Sequence, residues 1–258
     1  RINNYISASC FCSRREADAF VLEKKVKING RLAEIGSQVK ENDRVEVNGK
    51  RIEPKKKHVY LMFNKPVGVV CTTDQKIRGN IVDFVGHKER IFPIGRLDKD
   101  SEGLILLTSD GSIVNEILRE ENQHDKEYQV NVNKEITPEF LTQMGEGVTI
   151  YNPVKEKHEK TKPCVIRKNS EKSFTIILSQ GLNRQIRRMC EALGYQVVSL
   201  KRVRIMHIKL GKLKTGTWRD LSEAEVNGLV KSKDKTKVQN KNHSNKASQG
   251  SKHPVKKA

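Results

Sequence analysis

Phe92-Pro93-Ile94-Gly95-Arg96-Leu97-Asp98-Lys99-Asp100-Ser101-Glu102-Gly103-Leu104-Ile105-Leu106-Leu107-Thr108-Ser109-Asp110-Gly111 is the stretch on which the reading of this chain turns. The stretch at 104–108, apolar up to Thr108, has the length and composition of a buried strand. Gly95 supplies backbone freedom just before Arg96, Leu97 and Asp98. An arginine and a carboxylate are therefore expected on a short turn that leans on a rigid apolar element. Sites that must place a few atoms accurately are commonly built this way. Taken alone, a Gly-x-x-Asp is more often an ordinary turn with a surface carboxylate.

Outward from this turn, composition narrows the classes. The chain has 258 residues, enough for one large domain or two unequal ones. Apolar residues make up 35% and charged residues 31%, with a formal charge of +19. Such an excess of lysine and arginine points to a polyanionic partner bound with counterion release. No apolar stretch approaches the roughly 20 residues of a membrane span, so no membrane span is expected, and basic charge alone does not separate RNA from DNA or an acidic membrane surface. Cys10, Cys12, Cys71, Cys164 and Cys190 are odd in number and scattered, which suits free thiols in a reducing cytoplasm. Cys10 and Cys12 lack a later Cys/His pair at zinc spacing, so no metal site is expected. Because the sequence starts at Arg1 rather than methionine, a few native residues are expected to precede it.

Three regions separate along the chain, followed by a tail. In residues 1–49, Ile2, Tyr5 and Ile6 recur at helical spacing, and Ser13-Arg14-Arg15-Glu16 reads as a capping box ahead of apolar Ala17, Phe20 and Val21. The pattern then changes to short strands, with tight turns at Asn29-Gly30 and Asn48-Gly49. Residues 50–57, with Pro54 and three consecutive lysines, read as a linker. Residues 58–230 read as a second domain. It has strands near 59–63, 104–108, 128–132, 164–166, 174–178 and 197–210, and helices at 112–119 and 183–193. Thr137-Pro138 and Ser222 with Glu225 mark two more helix starts. Many strands without regular βαβ alternation predict an α+β domain with a mostly antiparallel sheet. Residues 231–258 carry nine lysines against the single acid Asp234 and are expected to be disordered.

A second constellation lies at Gly181-Leu182-Asn183-Arg184-Gln185-Ile186-Arg187-Arg188-Met189-Cys190. On a helix, Ile186, Met189, Cys190 and Leu193 would be buried, with Arg184, Arg187 and Arg188 on the other side. Three clustered arginines call for an anion nearby, although a solvated basic face is the commoner outcome of such a run.

Gly95-Arg96-Leu97-Asp98-x-x-Ser101-x-Gly103-Leu104 resembles the catalytic loop of pseudouridine synthases. Ser13-Arg14-Arg15-Glu16-Ala17 and Val26-x-Ile28-Asn29-Gly30 resemble an S4 RNA-binding domain. The resemblance implies a small S4-like domain followed by a catalytic domain with a mostly antiparallel mixed sheet. It implies Asp98 as the catalytic carboxylate, Tyr128 of Lys126-Glu127-Tyr128 stacking on the target base, and Arg187 pairing with Asp98 to keep it ionised. Arg96 is implied to fill the space the flipped base vacates, with Arg14, Arg15, Lys24, Arg184 and Arg188 as further RNA contacts. Asp100 is expected to face solvent, and Asp110 to cap the helix from Ser112.

The combination is similar to the small-subunit-A/large-subunit-B/E/F group acting on bacterial ribosomal RNA. Asn64-Lys65-Pro66-Val67-Gly68, Asn122-x-His124-x-Lys126-Glu127-Tyr128 and Gln180-Gly181-Leu182-Asn183-Arg184 are most like the F type. That type modifies a uridine of 23S rRNA, and some members also take a tRNA anticodon loop. The implied partner is therefore 23S ribosomal RNA or a large-subunit precursor, with tRNA as a second substrate. The implied enzyme is a cytoplasmic monomer without metal or cofactor. Two other readings fit less well. A purely RNA-binding assembly factor would not need Asp98, Tyr128 and Arg187 together, and a glycosidase would usually need a second carboxylate.

Overall fold

The computed structural model describes residues 1–55, 57–118, 124–153 and 155–230. The tail expected from 231, together with Lys56, Arg119 and Asn122, lies outside the described residues.

The N-terminal unit packs α1 (Ile2–Ala8) and α2 (Arg14–Leu22) on a sheet of β1 (Val26–Ile28), β2 (Arg31–Leu32), β3 (Val45–Val47) and β4 (Lys50–Ile52). Ser13 opens α2 with the expected box. The Glu16 amide donates to Ser13 Oγ at 3.2 Å, and the Ser13 amide donates to the Glu16 carboxylate at 2.6 Å. Asn29 and Gly30 have φ of 51° and 81°, and Asn48 and Gly49 have 51° and 75°. Positive φ at both central residues is what a two-residue hairpin turn demands. These turns place the strands in the order β2-β1-β3-β4. Ile2, Ile6, Ala17, Val21, Val26, Val45, Val47 and Ile52 form one core.

That core corrects the expected linker. Lys50–Ile52 pairs with Val45–Val47 and buries Ile52, so residues 50–52 belong to the first sheet. Lys50 and Arg51 hid the strand because their side chains stay exposed.

The larger unit runs β5 (Tyr60–Lys65), α3 (Ile81–Val85), β6 (Phe92–Ile94), β7 (Glu102–Thr108), α4 (Gly111–Leu118), β8 (Lys126–Val132) and α5 (Pro138–Glu146). It continues through β9 (Thr149–Asn152), β10 (Lys157–Lys160), β11 (Val165–Ser170), β12 (Ser173–Leu178) and α6 (Gln185–Ala192). It closes with β13 (Val197–Ile205), β14 (Ile208–Lys209), β15 (Trp218–Asp220) and α7 (Glu223–Val230). The main sheet has the order β11-β12-β8-β13-β7-β5-β15, with β6 on β7 and β14 on β13. Every pairing in it is antiparallel except that of β13 with β7, giving the α+β mixed sheet that the strand pattern predicted.

Both faces of this sheet are covered. Leu61, Phe63, Ile105 and Leu107 pack into one core with Val130, Phe174 and Met189. Met62, Leu104 and Leu106 pack into another with Ile113, Ile117, Ile205 and Leu229. Alternate residues of a strand point to opposite faces, so a strand buried on both sides must be apolar throughout. This explains the unbroken apolar run at 104–107.

Gly103 stands at the single parallel contact, opposite Arg202. Its φ is 104°, and an added Cβ would lie 2.3 Å from the Arg202 carbonyl oxygen. The helix expected over 183–193 begins only at Gln185, because Arg184 takes a left-handed backbone. The strand expected over 197–210 is a hairpin that turns at Met206, φ 52°.

Candidate active site

The turn 95–101 joins β6 to β7 and is anchored from several sides. Gly95 has φ 78°, and a Cβ there would meet Leu118 Cδ2 at 2.8 Å. Leu97 is buried, and its amide donates to Cys71 Sγ at 3.4 Å. The Gly68 amide donates to the Lys99 carbonyl at 2.7 Å, and the Ser101 amide to the Asp98 carbonyl at 3.1 Å. Beneath the turn lie two buried cations. The Lys65 ammonium donates to the Pro66 and Val69 carbonyls, each at 2.9 Å. Burial pushes the Lys65 pKa down, opposed by charge on Cys71, Asp100 and Asp98. Arg202 donates through Nε to the Leu104 carbonyl at 2.7 Å and through Nη1 to the Arg96 carbonyl at 3.4 Å. Its guanidinium thus ties the start of β7 to the residue two positions before Asp98.

The side chain of Asp98 is 31% exposed at a cleft of about 550 Å³. Arg96, Tyr128, Arg184, Arg187 and Arg202 line the same cleft. Tyr128 on β8 sits directly across from Arg202 on β13 and Ile176 on β12. Cross-strand partners share a sheet face, which brings the phenol and the buried guanidinium side by side. Gln185 closes one wall. Its Oε1 accepts from the Leu182 amide at 3.1 Å, and its Nε2 donates to Gln180 at 3.2 Å.

The arginines differ from expectation. Arg187 does not pair with the Asp98 carboxylate. Its Nη2 donates to the Asp100 carbonyl at 2.8 Å and to Ser101 Oγ at 3.2 Å, and its Nε lies 3.4 Å from Asp100 Oδ2. Arg184 is the residue facing Asp98, at 3.8 Å, while it makes a two-pronged pair with Asp100 at 2.9 Å on each arm. The cause is the left-handed Arg184, φ 50° and ψ 33°, which takes its side chain off the helix surface and towards the turn. Arg187, in the first helical turn, then falls over Asp100 and Ser101. Asp100 is half exposed, as expected of a solvent-facing residue, yet both arginines engage it. The Arg184 hydrogen bonds hold the Asp100 carboxyl below its usual range, against the desolvation that opposes them and with help from Arg187.

Arg188 turns elsewhere, donating to the Tyr151 carbonyl at 3.1 Å and to Asn183 at 2.9 Å. Arg14, Arg15 and Lys24 are exposed in the N-terminal unit and do not line the cleft. Asp110 caps α4 as expected, accepting from the Ser112 amide at 2.8 Å. Among the described residues no three His, Cys, Asp or Glu side chains are grouped to hold a metal ion. Sequence reasoning gave no role in the site to Asp100, Arg202 or Lys65. Arg202 left one signal, because it lies two residues beyond Leu200 and so shares the inward face of β13.

Residues 59–192, which contain most of this cleft, match the family model for RNA pseudouridylate synthase, and residues 1–45 match the S4 domain. The chain belongs to the RNA pseudouridylate synthase family. Among curated pseudouridine synthases it is similar to the dual-specificity RNA pseudouridine synthase RluF of Salmonella typhi, with 54% identity over 90% of this chain and 78% of that protein. The ribosomal large subunit pseudouridine synthase B of Bacillus subtilis is 36% identical over 89% of this chain and 95% of its own length. A solved pseudouridylate synthase superposes with a TM-score of 0.65 at 29% identity, covering 89% of this chain and 99% of that one. The protein is thus an RNA pseudouridine synthase with an S4 domain, most similar to the F type within its group.

Proposed function

We propose that this cleft isomerises one uridine of 23S ribosomal RNA, and also a uridine in a tRNA anticodon loop, with Asp98 as the reacting carboxylate. The observation that carries this reading is the convergence of Asp98, Tyr128, Arg96 and Arg187 on one cleft. The target nucleotide is flipped out of its stack at a cost of roughly a few kcal/mol. Its base lies on Tyr128, and Arg96 takes the vacated place, where a planar guanidinium suits both stacking and phosphate pairing. Asp98 attacks C1′ or removes the C2′ proton, and the C1′–N1 bond breaks. The uracil turns in place and C5 bonds to C1′, as the carboxylate–C1′ bond breaks in the first route or as Asp98 returns its proton to C2′ in the second, and the C5 proton then leaves. The base stays in the site, so no water has to be activated and one carboxylate suffices, unlike the pair a hydrolase uses.

Arg187 supports the turn through Asp100 and Ser101, and Arg184 meets the RNA backbone. Arg14, Arg15 and Lys24 of the S4 domain extend the RNA-binding face. The dual specificity in the relatives' names supports the second substrate. The enzyme works as a cytoplasmic monomer. Pseudouridine mapping of 23S rRNA and tRNA from cells lacking the gene tests the assignment. Wild type is expected to restore one site in 23S rRNA and one in a tRNA, and Asp98→Asn neither. No missing pseudouridine in either RNA of the deleted strain would overturn the substrate assignment.

A further inference from the structure

The arginine facing Asp98 is held by its neighbour. Both arms of Arg184 lie 2.9 Å from the Asp100 carboxylate, against 3.8 Å to Asp98. Arg187 is likewise turned to the Asp100 carbonyl and carboxylate. The Arg184–Asp100 pair is not a buried anchor, because the two side chains are 41% and 46% exposed. It stands where the Asp98 turn meets the start of α6, beside the cleft a flipped nucleotide would enter. A carboxylate gripped by both arms of an arginine presents two oxygens in nearly the arrangement of two phosphate oxygens, and the fork of guanidinium donors fits either. Arg184 holds a left-handed backbone, uncommon for a residue with a side chain, which aims its guanidinium across the turn rather than along the helix.

We propose that Asp100 is an internal stand-in for substrate phosphate, occupying Arg184 in the RNA-free protein and yielding it to a backbone phosphate beside the target uridine. This rests on the proposed function and adds a competitor to it. RNA must displace the Asp100 carboxylate before Arg184 can grip the backbone. Removing the charge of Asp100 should therefore strengthen RNA binding, the opposite of what loss of a merely structural ion pair would do.

The test is equilibrium binding of unmodified 23S rRNA transcript carrying uridine tritiated at C5, alongside tritium release by wild type. Asp100→Asn is expected to tighten binding about threefold to fivefold, the scale of a half-exposed ion pair. Glu171→Gln removes one negative charge in the turn between β11 and β12, at the end of β12 away from the cleft, and controls for net charge. It should change binding less. In an Arg184→Gln background, Asp100→Asn should bring no gain. Binding by Asp100→Asn equal to or weaker than wild type, or a gain that persists without Arg184, overturns the proposal. If the Asn variant does not fold, Asp100→Ser replaces it; failure of both to fold makes the pair structural and also overturns it. A wild type that neither binds RNA nor releases tritium brings down the proposed function, and this inference with it. Tritium release by wild type with no tightening in Asp100→Asn removes the stand-in alone.

Discussion

Gly103→Ala tests whether the parallel contact of β7 with β13 sets the position of the Asp98 turn. An alanine Cβ would lie 2.3 Å from the Arg202 carbonyl oxygen, 2.8 Å from its nitrogen and 3.0 Å from its carbonyl carbon. All three are backbone atoms of a central strand, so no flexible side-chain tip can give way. The φ of 104° adds a second cost, because a residue with a Cβ is strained there whatever the space. Backbone strain of this kind is worth about 1–3 kcal/mol, and overpacking a filled interior about 1–3 kcal/mol more. The combined loss is then about 2–6 kcal/mol, or at least about 4 °C in Tm, taking about 2–4 °C per kcal/mol for a domain of this size. Relief by moving β7 away from β13 would also shift Ser101 and the Asp98 turn, and misplacement by about 1 Å can cost a hundredfold in rate. Gly111→Ala is the control, since the nearest atom to its Cβ position is Phe92 Cζ at 4.0 Å, its φ is outside the glycine-favouring region and it does not line the cleft. Thermal unfolding by circular dichroism, with tritium release assayed at 25 °C, reads both effects. A Gly103→Ala protein with the Tm and activity of the Gly111→Ala control would refute the reasoning.

Glu225 accepts from both arms of Arg219 at 2.7 and 2.8 Å and caps α7 with Ser222, which lowers its pKa from 4.5 to about 2. A depressed carboxyl stabilises the fold above its unfolded value and loses that contribution as pH falls through the folded one. Glu225→Gln should therefore lower Tm at pH 7 by about 2–4 °C, for about 1 kcal/mol at a partly exposed pair, with the gap closing between pH 4.5 and about 2. A gap that persists unchanged at pH 2 would contradict this. Burial pushes the Cys190 thiol up to about 12, and the residue is 0% exposed. Ellman's reagent at pH 8 should reach it only on unfolding, and mass spectrometry finding it labelled in the native protein would refute its placement. Arg202→Met leaves the Leu104 and Arg96 carbonyls without their guanidinium donor, at about 1–3 kcal/mol for a buried unsatisfied group. Tm is expected to fall by several degrees and kcat more than tenfold with little change in KM. A rise in KM alone would place Arg202 in RNA binding instead.

Much of the fold was legible where a local rule has one solution. Ser13 with Glu16 and Ser222 with Glu225 each form the expected box, and Thr137 accepts from the Phe140 amide ahead of Pro138. The two Asn-Gly pairs make the hairpin turns that their positive φ allows. Elements held by partners rather than by their own pattern were not legible. Lys157–Lys160 is a strand of polar residues that exists because it pairs with Thr149–Asn152. Trp218–Asp220 is likewise a short edge strand set by β5. The candidate site divides the same way. Asp98, Tyr128, Arg96, Arg184 and Arg187 were found as motif members, and all reach one cleft. Which arginine faces which carboxylate was not, because it follows from the single left-handed residue Arg184 at the start of α6. Residue spacing assumes the helix has already begun there, and it has not.

The central claim is that Asp98 drives uridine isomerisation in this cleft. Release of tritium from C5-tritiated uridine in unmodified 23S rRNA tests it most directly, since C5 loses its hydrogen only when it becomes the new glycosidic carbon. Wild type should release one tritium per modified site, and Asp98→Asn none while still binding the RNA. Undiminished release by a folded Asp98→Asn protein would contradict the account.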